Sequence, residues 1–292
     1  MRVTRSEQAA GWLFVLPAAG LIIGFGVVPI IWALLISFQA SDFVSPAKWV
    51  GLANYRALAS DPEFRAAIRR TLVYTLMFVP ITVLGGLAVA VLLNAKVRFI
   101  SIYRTAVFIP VACSTVATAI IFNWLLEPTF GIVNYVLGWV GLGPYGFFQN
   151  PDQSLVSVVA MTSWGWIGFN AIVYLAALQS IPHELIEAAS IDGADRFTTF
   201  RRIIWPLLTP ATLFLVIWSS INALQVFDEI YVSTRGGPLH STTVVVYYLF
   251  QQAFQFFDAG YGAAIAYVLF VAILLLTILQ LWVAKRRVYY AS

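Results

Sequence analysis

Six runs in this chain carry no Asp, Glu, Lys or Arg: Trp12 to Phe38, Thr71 to Asn94, Ala106 to Leu126, Ser154 to Leu178, Leu208 to Phe227 and Tyr261 to Val283. Each holds the roughly 20 apolar residues that cross about 30 Å of hydrocarbon as a helix. A soluble globular domain is excluded, because 61% of the residues are hydrophobic and 10% charged, against about 25% charged in an ordinary soluble domain. The first run is too long for the apolar region of a signal peptide, and no small-residue cleavage site follows it. The expected fold class is therefore all-α and integral to a membrane, with six transmembrane helices.

Two further segments are apolar but unsuited to spanning. Thr129 to Leu142 is short and interrupted by Gly131, Gly138 and Gly141, and Thr242 to Phe257 carries Gln251, Gln252 and Gln255. Both read as interfacial or re-entrant helices. In the loop between the first two spans, Asp61 and Pro62 supply an N-cap and a first-turn proline, so a helix starts there and runs into the second span. Asn150 to Gln153 forms a polar break before the fourth.

Basic residues set the orientation. With six spans and the N-terminus inside, the cytoplasmic side holds eleven: Arg2, Arg5, Lys96, Arg98, Arg104, Arg196, Arg201, Arg202, Lys285, Arg286 and Arg287. The opposite side holds six: Lys48, Arg56, Arg65, Arg69, Arg70 and Arg235. The positive-inside rule then places both termini, 1–11 and 284–292, in the cytoplasm, flanking a membrane domain over 12–283. The net charge of +4 follows this topology and marks no nucleic-acid surface.

The chemistry missing from the spans narrows the class. Ion-coupled transporters keep ionisable groups near the bilayer midplane, and these spans have none. The sequence has no Walker A motif and no Gly-Lys pair, so any ATP, with its Mg, belongs to a partner. His183 and His240 stand in separate loops without ligand spacing, so no metal site is expected. The lone Cys113 permits no intrachain disulfide and is expected in the core. No acid, base or metal constellation marks a membrane enzyme.

The longest polar cytoplasmic stretch, 179–207, is the most informative. Pro182 starts a short helix with Glu184 in its first turn, which suits the helix dipole. Leu185, Ala188 and Ala189 share a face on which small side chains permit close approach, and Glu187 offers a carboxylate. Gly193 ends the helix as a left-handed cap. A second helix with Arg196, Arg201 and Arg202 follows, and Pro206 breaks it at the start of the fifth span. Physically this is either a docking peg for a cytosolic partner or a solvated amphipathic helix.

Glu187-Ala188-Ala189, Gly193, Ile203 and Pro206, at their spacing, resemble the EAA loop of permease subunits of binding-protein-dependent ABC importers. Trp205 stands where that family usually has leucine. Val50-Gly51-Leu52-Ala53-Asn54-Tyr55 is similar to the carbohydrate branch of the family. So is Phe227-Asp228-Glu229-Ile230-Tyr231, with Thr234 and Gly236-Gly237-Pro238 after it. The resemblance implies the type I importer permease fold in a plasma (inner) membrane. It also implies four kinds of partner: a second homologous permease, two ATPase subunits, an extracytoplasmic solute-binding protein and the lipid bilayer. Glu184, Glu187, Ala188, Ala189, Asp192 and Gly193 would then couple to the ATPase.

A carbohydrate pathway calls for amides, hydroxyls and flat aromatic faces. Within or beside the spans these are Asn123, Ser163, Trp164, Trp166, Asn170, Asn222, Gln225 and Asp228. The same residue types also serve as packing contacts between helices and as interfacial anchors. No span holds the Lys or Arg that a phosphorylated solute would want. The sequence thus favours a neutral sugar over the alternatives, a glycerol-phosphate or amino-sugar permease, and over a self-contained channel.

Overall fold

A computed structural model of the chain describes residues 5–95 and 98–285. Arg2, Lys96, Arg286 and Arg287 of the charge count, together with the terminal stretches 1–4 and 286–292, lie outside the described residues.

The chain order is α1 (Arg5–Ile22), α2 (Val28–Ser37), α3 (Ala53–Ser60), α4 (Pro62–Leu93), α5 (Ile100–Ala112), α6 (Thr115–Leu125) and α7 (Ile132–Trp139). Then come α8 (Ser154–Gln179), α9 (His183–Ile191), α10 (Arg196–Thr199), α11 (Trp205–Leu224), α12 (Asp228–Ser233), α13 (Val245–Phe250) and α14 (Ala259–Ala284). Wide π turns at Ile23–Val27 and Phe200–Ile204 join α1 to α2 and α10 to α11, and a third at Gln251–Gln255 follows α13. Two short strands, β1 (Gln39–Ala40) and β2 (Lys48–Trp49), pair antiparallel with Gln39 opposite Trp49. Among the described residues five helices are long and apolar enough to cross a membrane: Trp12–Ser37, Pro62–Leu93, Pro151–Gln179, Arg196–Leu224 and Ala259–Ala284. Counting α5 with α6 as one broken span gives six.

Two expectations about these spans are corrected. The third, read as one run from Ala106 to Leu126, is two helices meeting at 101°. Pro110 brings no N–H to the last turn of α5, and Cys113 and Ser114 are extended, with ψ of 140° and 133°. The fifth does not begin at a break at Pro206: the helix runs from Arg196 to Leu224. Pro206 falls in the first turn of α11, directly after the π turn. There the proline ring and its missing N–H are accommodated by the widened ladder. The start of α4 is as read, with Asp61 extended (ψ 114°) before Pro62. The segments 129–142 and 242–257 hold only short helices, α7 and α13 with its π turn.

The chain forms two compact units, one of residues 1–62 with 249–270 and one of 63–248 with 271–292. In the first, Asn54 fastens the end of α2: its side-chain amide donates to the carbonyls of Ser37 and Gln39, both at 2.9 Å. The Ser37 and Tyr55 hydroxyls share a hydrogen bond of 2.7 Å. Ala259 N–H donates to Ser41 O at 2.8 Å. At Gly260 a Cβ would lie 1.9 Å from Gln39 O. The Tyr261 hydroxyl donates to the Asp61 carboxylate. Asn54 and Tyr55 of the motif from Val50 to Tyr55 are thus structural ties.

In the second unit α4, α8 and α11 carry two buried clusters. One gathers Tyr74, Phe78, Val158, Met161, Ala223 and Ile230. The other gathers Val83, Ala90, Tyr174, Leu178, Leu208 and Leu215. In lipid, apolar burial between helices adds little, so close packing and hydrogen bonds must hold them. Glycines permit that approach: a Cβ at Gly86 would lie 2.4 Å from Asn170 Cβ, and one at Gly168 2.5 Å from Val107 O. Polar ties add to it: Thr71 Oγ1 accepts from Val245 N–H at 2.9 Å, and Tyr174 donates to Thr212 at 3.1 Å.

Candidate functional site

Two features of the second unit stand out as places of action. The first is the turn from α8 into α11. Glu184 lies in the first turn of α9, where free N–H groups favour a carboxylate. The helix closes in a Schellman arrangement, with Ala194 N–H donating to Ala189 O at 2.9 Å and Gly193 N–H to Ser190 O at 3.1 Å. Gly193 has φ +77°, the left-handed conformation that lacks a steric cost only for glycine. Asp195 then caps α10, accepting from Thr198 N–H at 2.9 Å. Bonds from the Thr198 hydroxyl and N–H hold the Asp195 carboxyl below the usual carboxylate range. Both helix ends are thereby satisfied within five residues, which fixes the direction of α9.

The face of α9 differs from the expected one. Ala189 is buried and Ile186 packs on the second cluster, whereas Leu185 and Ala188 are exposed. Ile191, at 86% exposure, extends them into an outward apolar strip of three-residue spacing. Glu187 and Asp192 are exposed beside it. Ile186 and Ala189, three residues apart, form the flank of the helix turned toward the body, beside the exposed strip.

The second feature is a pair of adjoining cavities of about 230 and 260 Å³. Both are lined by Thr115, Thr162, Trp166 and Glu229. The α5–α6 break borders the first cavity with Pro110 and Cys113, so the bend opens space within the bundle. Cys113 is exposed there, not in the core, because Pro110 and the extended residues after it turn the chain out of its helix. Asn222, Gln225 and Asp228 line the second cavity. The Asn222 amide donates to Trp218 O at 2.8 Å, which leaves its carbonyl oxygen to accept from a hydroxyl. Trp166 is held edge-on by Phe78 and Phe169, with ring centroids 6.0 and 5.6 Å away.

Of the eight residues proposed for a pathway, then, Trp166, Asn222, Gln225 and Asp228 come together here. Asn123 lines a separate cavity with Glu127, Gln149 and Ser233. Trp164 packs on Phe122 at 5.7 Å. Ser163 and Asn170 are buried in the α8 contacts, and neither lines these cavities. Sequence reasoning missed Glu229, which lies inside the motif from Phe227 to Tyr231, and the threonines 115 and 162, which look like any span hydroxyls.

Residues 57–289 match the family described as binding-protein-dependent transport system inner membrane component. The chain is 36% identical to the lactose transport system permease protein LacF of Rhizobium radiobacter, over 97% of its own length and 96% of that protein. It is also 36% identical to the arabinooligosaccharides transport system permease protein AraP of Bacillus subtilis (strain 168), over 94% and 88%. Its fold matches a chain of a bacterial ABC transporter that imports the acidic polysaccharide alginate, with a TM-score of 0.86 at 25% identity, covering 96% of each chain. The chain is thus a multi-pass membrane protein of the type I importer fold, and it belongs to the family of binding-protein-dependent transport system inner membrane components.

Proposed function

We propose that this chain is one of two permease subunits in an ATP-driven importer that carries a sugar from an extracytoplasmic binding protein into the cytoplasm. The observation that supports it most is α9, with its apolar strip of Leu185, Ala188 and Ile191 turned outward beside Glu187. A strip of that kind at the end of a rigidly capped helix suits insertion into a protein cleft. Two ATPase subunits, which bind the ATP and Mg, receive this helix and its counterpart on the second permease. The complex sits in the inner membrane with both termini of this chain cytoplasmic. The cavity of Trp166, Asn222 and Gln225 receives the sugar. A glycerol-phosphate is less suited to it, since no Lys or Arg lines either cavity among the described residues.

The test is reconstitution in liposomes of this chain with the second permease and the ATPase pair. The sugar-loaded binding protein should stimulate ATP hydrolysis and uptake, and this chain alone should take up nothing. Uptake by the chain alone without ATP would make it a facilitator instead.

A further inference from the structure

We propose that Glu229 is the residue that sets the charge selectivity of the solute cavity, admitting neutral or amino-bearing sugars and rejecting anionic ones. This deepens the reading of the cavity as a sugar pathway and rests on it. Glu229 lines both cavities and is half-buried, whereas its neighbour Asp228 lines one and is exposed. The remaining wall is apolar or neutral: Trp166, Phe169, Thr115 and Thr162. No lysine or arginine lines either cavity among the described residues, so the wall provides no compensating cation.

A carboxylate among low-dielectric walls acts on a solute more strongly than the same group in water, and a cleft of one sign of charge enriches counter-ions within it. An exposed carboxylate such as Asp228 is screened by salt over about 8–10 Å. A sulfonate, phosphate or uronate entering beside Trp166 meets Glu229 in a lining that, among the described residues, has no lysine or arginine to neutralise it. A hydroxyl or an ammonium meets an acceptor. Electrostatic rejection of one charge sign therefore falls to Glu229, while the aromatic and amide groups recognise the sugar itself.

Cys113 supplies a reporter that needs no knowledge of the solute. It is the chain's only cysteine, it is exposed, and it lines the first cavity together with Glu229. Methanethiosulfonate reagents modify a thiol by attack of its sulfur on the reagent's sulfenyl sulfur; a disulfide forms and methanesulfinate leaves. The probes are the trimethylammonium-ethyl, sulfonato-ethyl and neutral hydroxyethyl reagents. They are applied to the full chain co-expressed with its partner subunits in membrane vesicles, on a background where those subunits lack cysteine. Any effect on the thiol itself is common to the two charged reagents and cancels in their rate ratio.

After correction for their rates with a free thiol, the cationic reagent should outpace the anionic one by about tenfold. Glu229→Gln should bring the ratio close to one, Glu229→Lys should invert it, and Asp228→Asn should move it much less. An unchanged neutral-reagent rate in these variants shows that the cavity has kept its form. A ratio unaffected by Glu229→Gln, an equal response to Asp228→Asn, or no reaction of Cys113 with the neutral reagent would each overturn the assignment. The uptake assay of the reconstituted complex is separate: a charge-sensitive ratio in a complex that moves no sugar would defeat the transport reading alone.

Discussion

Ala194 donates its backbone N–H to the carbonyl of Ala189, five residues back, at 2.9 Å. That bond closes only because Gly193 between them adopts φ +77°. The direction in which α9 presents Glu187 therefore depends on one residue that need not touch a partner at all. In Gly193→Val a β-branched side chain is forced into the left-handed region at a cost of about 1–3 kcal/mol. Nothing lies within 4 Å of the added Cβ, so the effect is conformational and not a clash with neighbours. Sugar-stimulated ATP hydrolysis should fall to background in this variant, and Gly193→Asn should keep most of it. Equal stimulation in both would show that α9 is a solvated connector.

Glu187→Lys tests the partner side of the proposed docking of α9. Glu187 is exposed and α9 keeps its caps without it, so the permease should fold and insert normally. A lysine opposite a basic group on an ATPase costs several kcal/mol at a desolvated contact. The expected outcome is loss of ATPase capture in a pull-down, with unchanged permease levels in the membrane. Capture at the wild-type level would remove Glu187 from the interface.

Asp195 makes α10 sensitive to acid. Its carboxyl is held below the usual range by the Thr198 hydroxyl and N–H. A lowered folded pKa contributes stability above the unfolded value, and that stability is lost as pH falls through the folded pKa. Hydrogen exchange should show the Thr198 amide losing protection, relative to the rest of α10, only in that acid window. In Asp195→Asn, which caps without titrating, the relative protection should stay level across the same range.

Gly260→Ala places a methyl group 1.9 Å from Gln39 O, and backbone on both sides leaves little room to yield. Overpacking of this kind costs about 1–3 kcal/mol. Thermal unfolding of the full chain in detergent should occur at lower temperature. Asn54→Ala, which frees the carbonyls of Ser37 and Gln39, should act in the same direction. A melting temperature unmoved by both would show that this tie is dispensable.

Trp166→Ala removes the aromatic surface shared by both cavities. Loss of aromatic stacking of about 0.5–1.5 kcal/mol should raise the KM for uptake about 2- to 10-fold with less effect on ATP hydrolysis. Trp164→Ala, whose ring packs on Phe122 outside these cavities, should leave KM unaltered. The opposite pattern would place the solute along the other side of α8.

The rough position of the five long spans was legible from sequence because hydrocarbon tolerates neither charge nor unsatisfied backbone, and only long charge-free runs meet both demands. The count of six holds where α5 and α6 are taken as one broken span. The α9 cap was legible for an equally local reason: a glycine after a helical run, followed by Asp195, has few other conformations as favourable. The 101° bend at Cys113 and Ser114 was not legible. Pro110 is compatible with a kinked but continuous membrane helix, and only the packing of α5 on α8 through Gly168 shows which way the chain turns. The same limit governed the pathway residues. Trp164 and Trp166, or Asn170 and Asn222, are chemically alike along the sequence, and hydropathy averages over every side of a helix. Which of them line a cavity was decided by helix rotation and by the space that the broken third span leaves, both products of contacts between residues far apart in the chain.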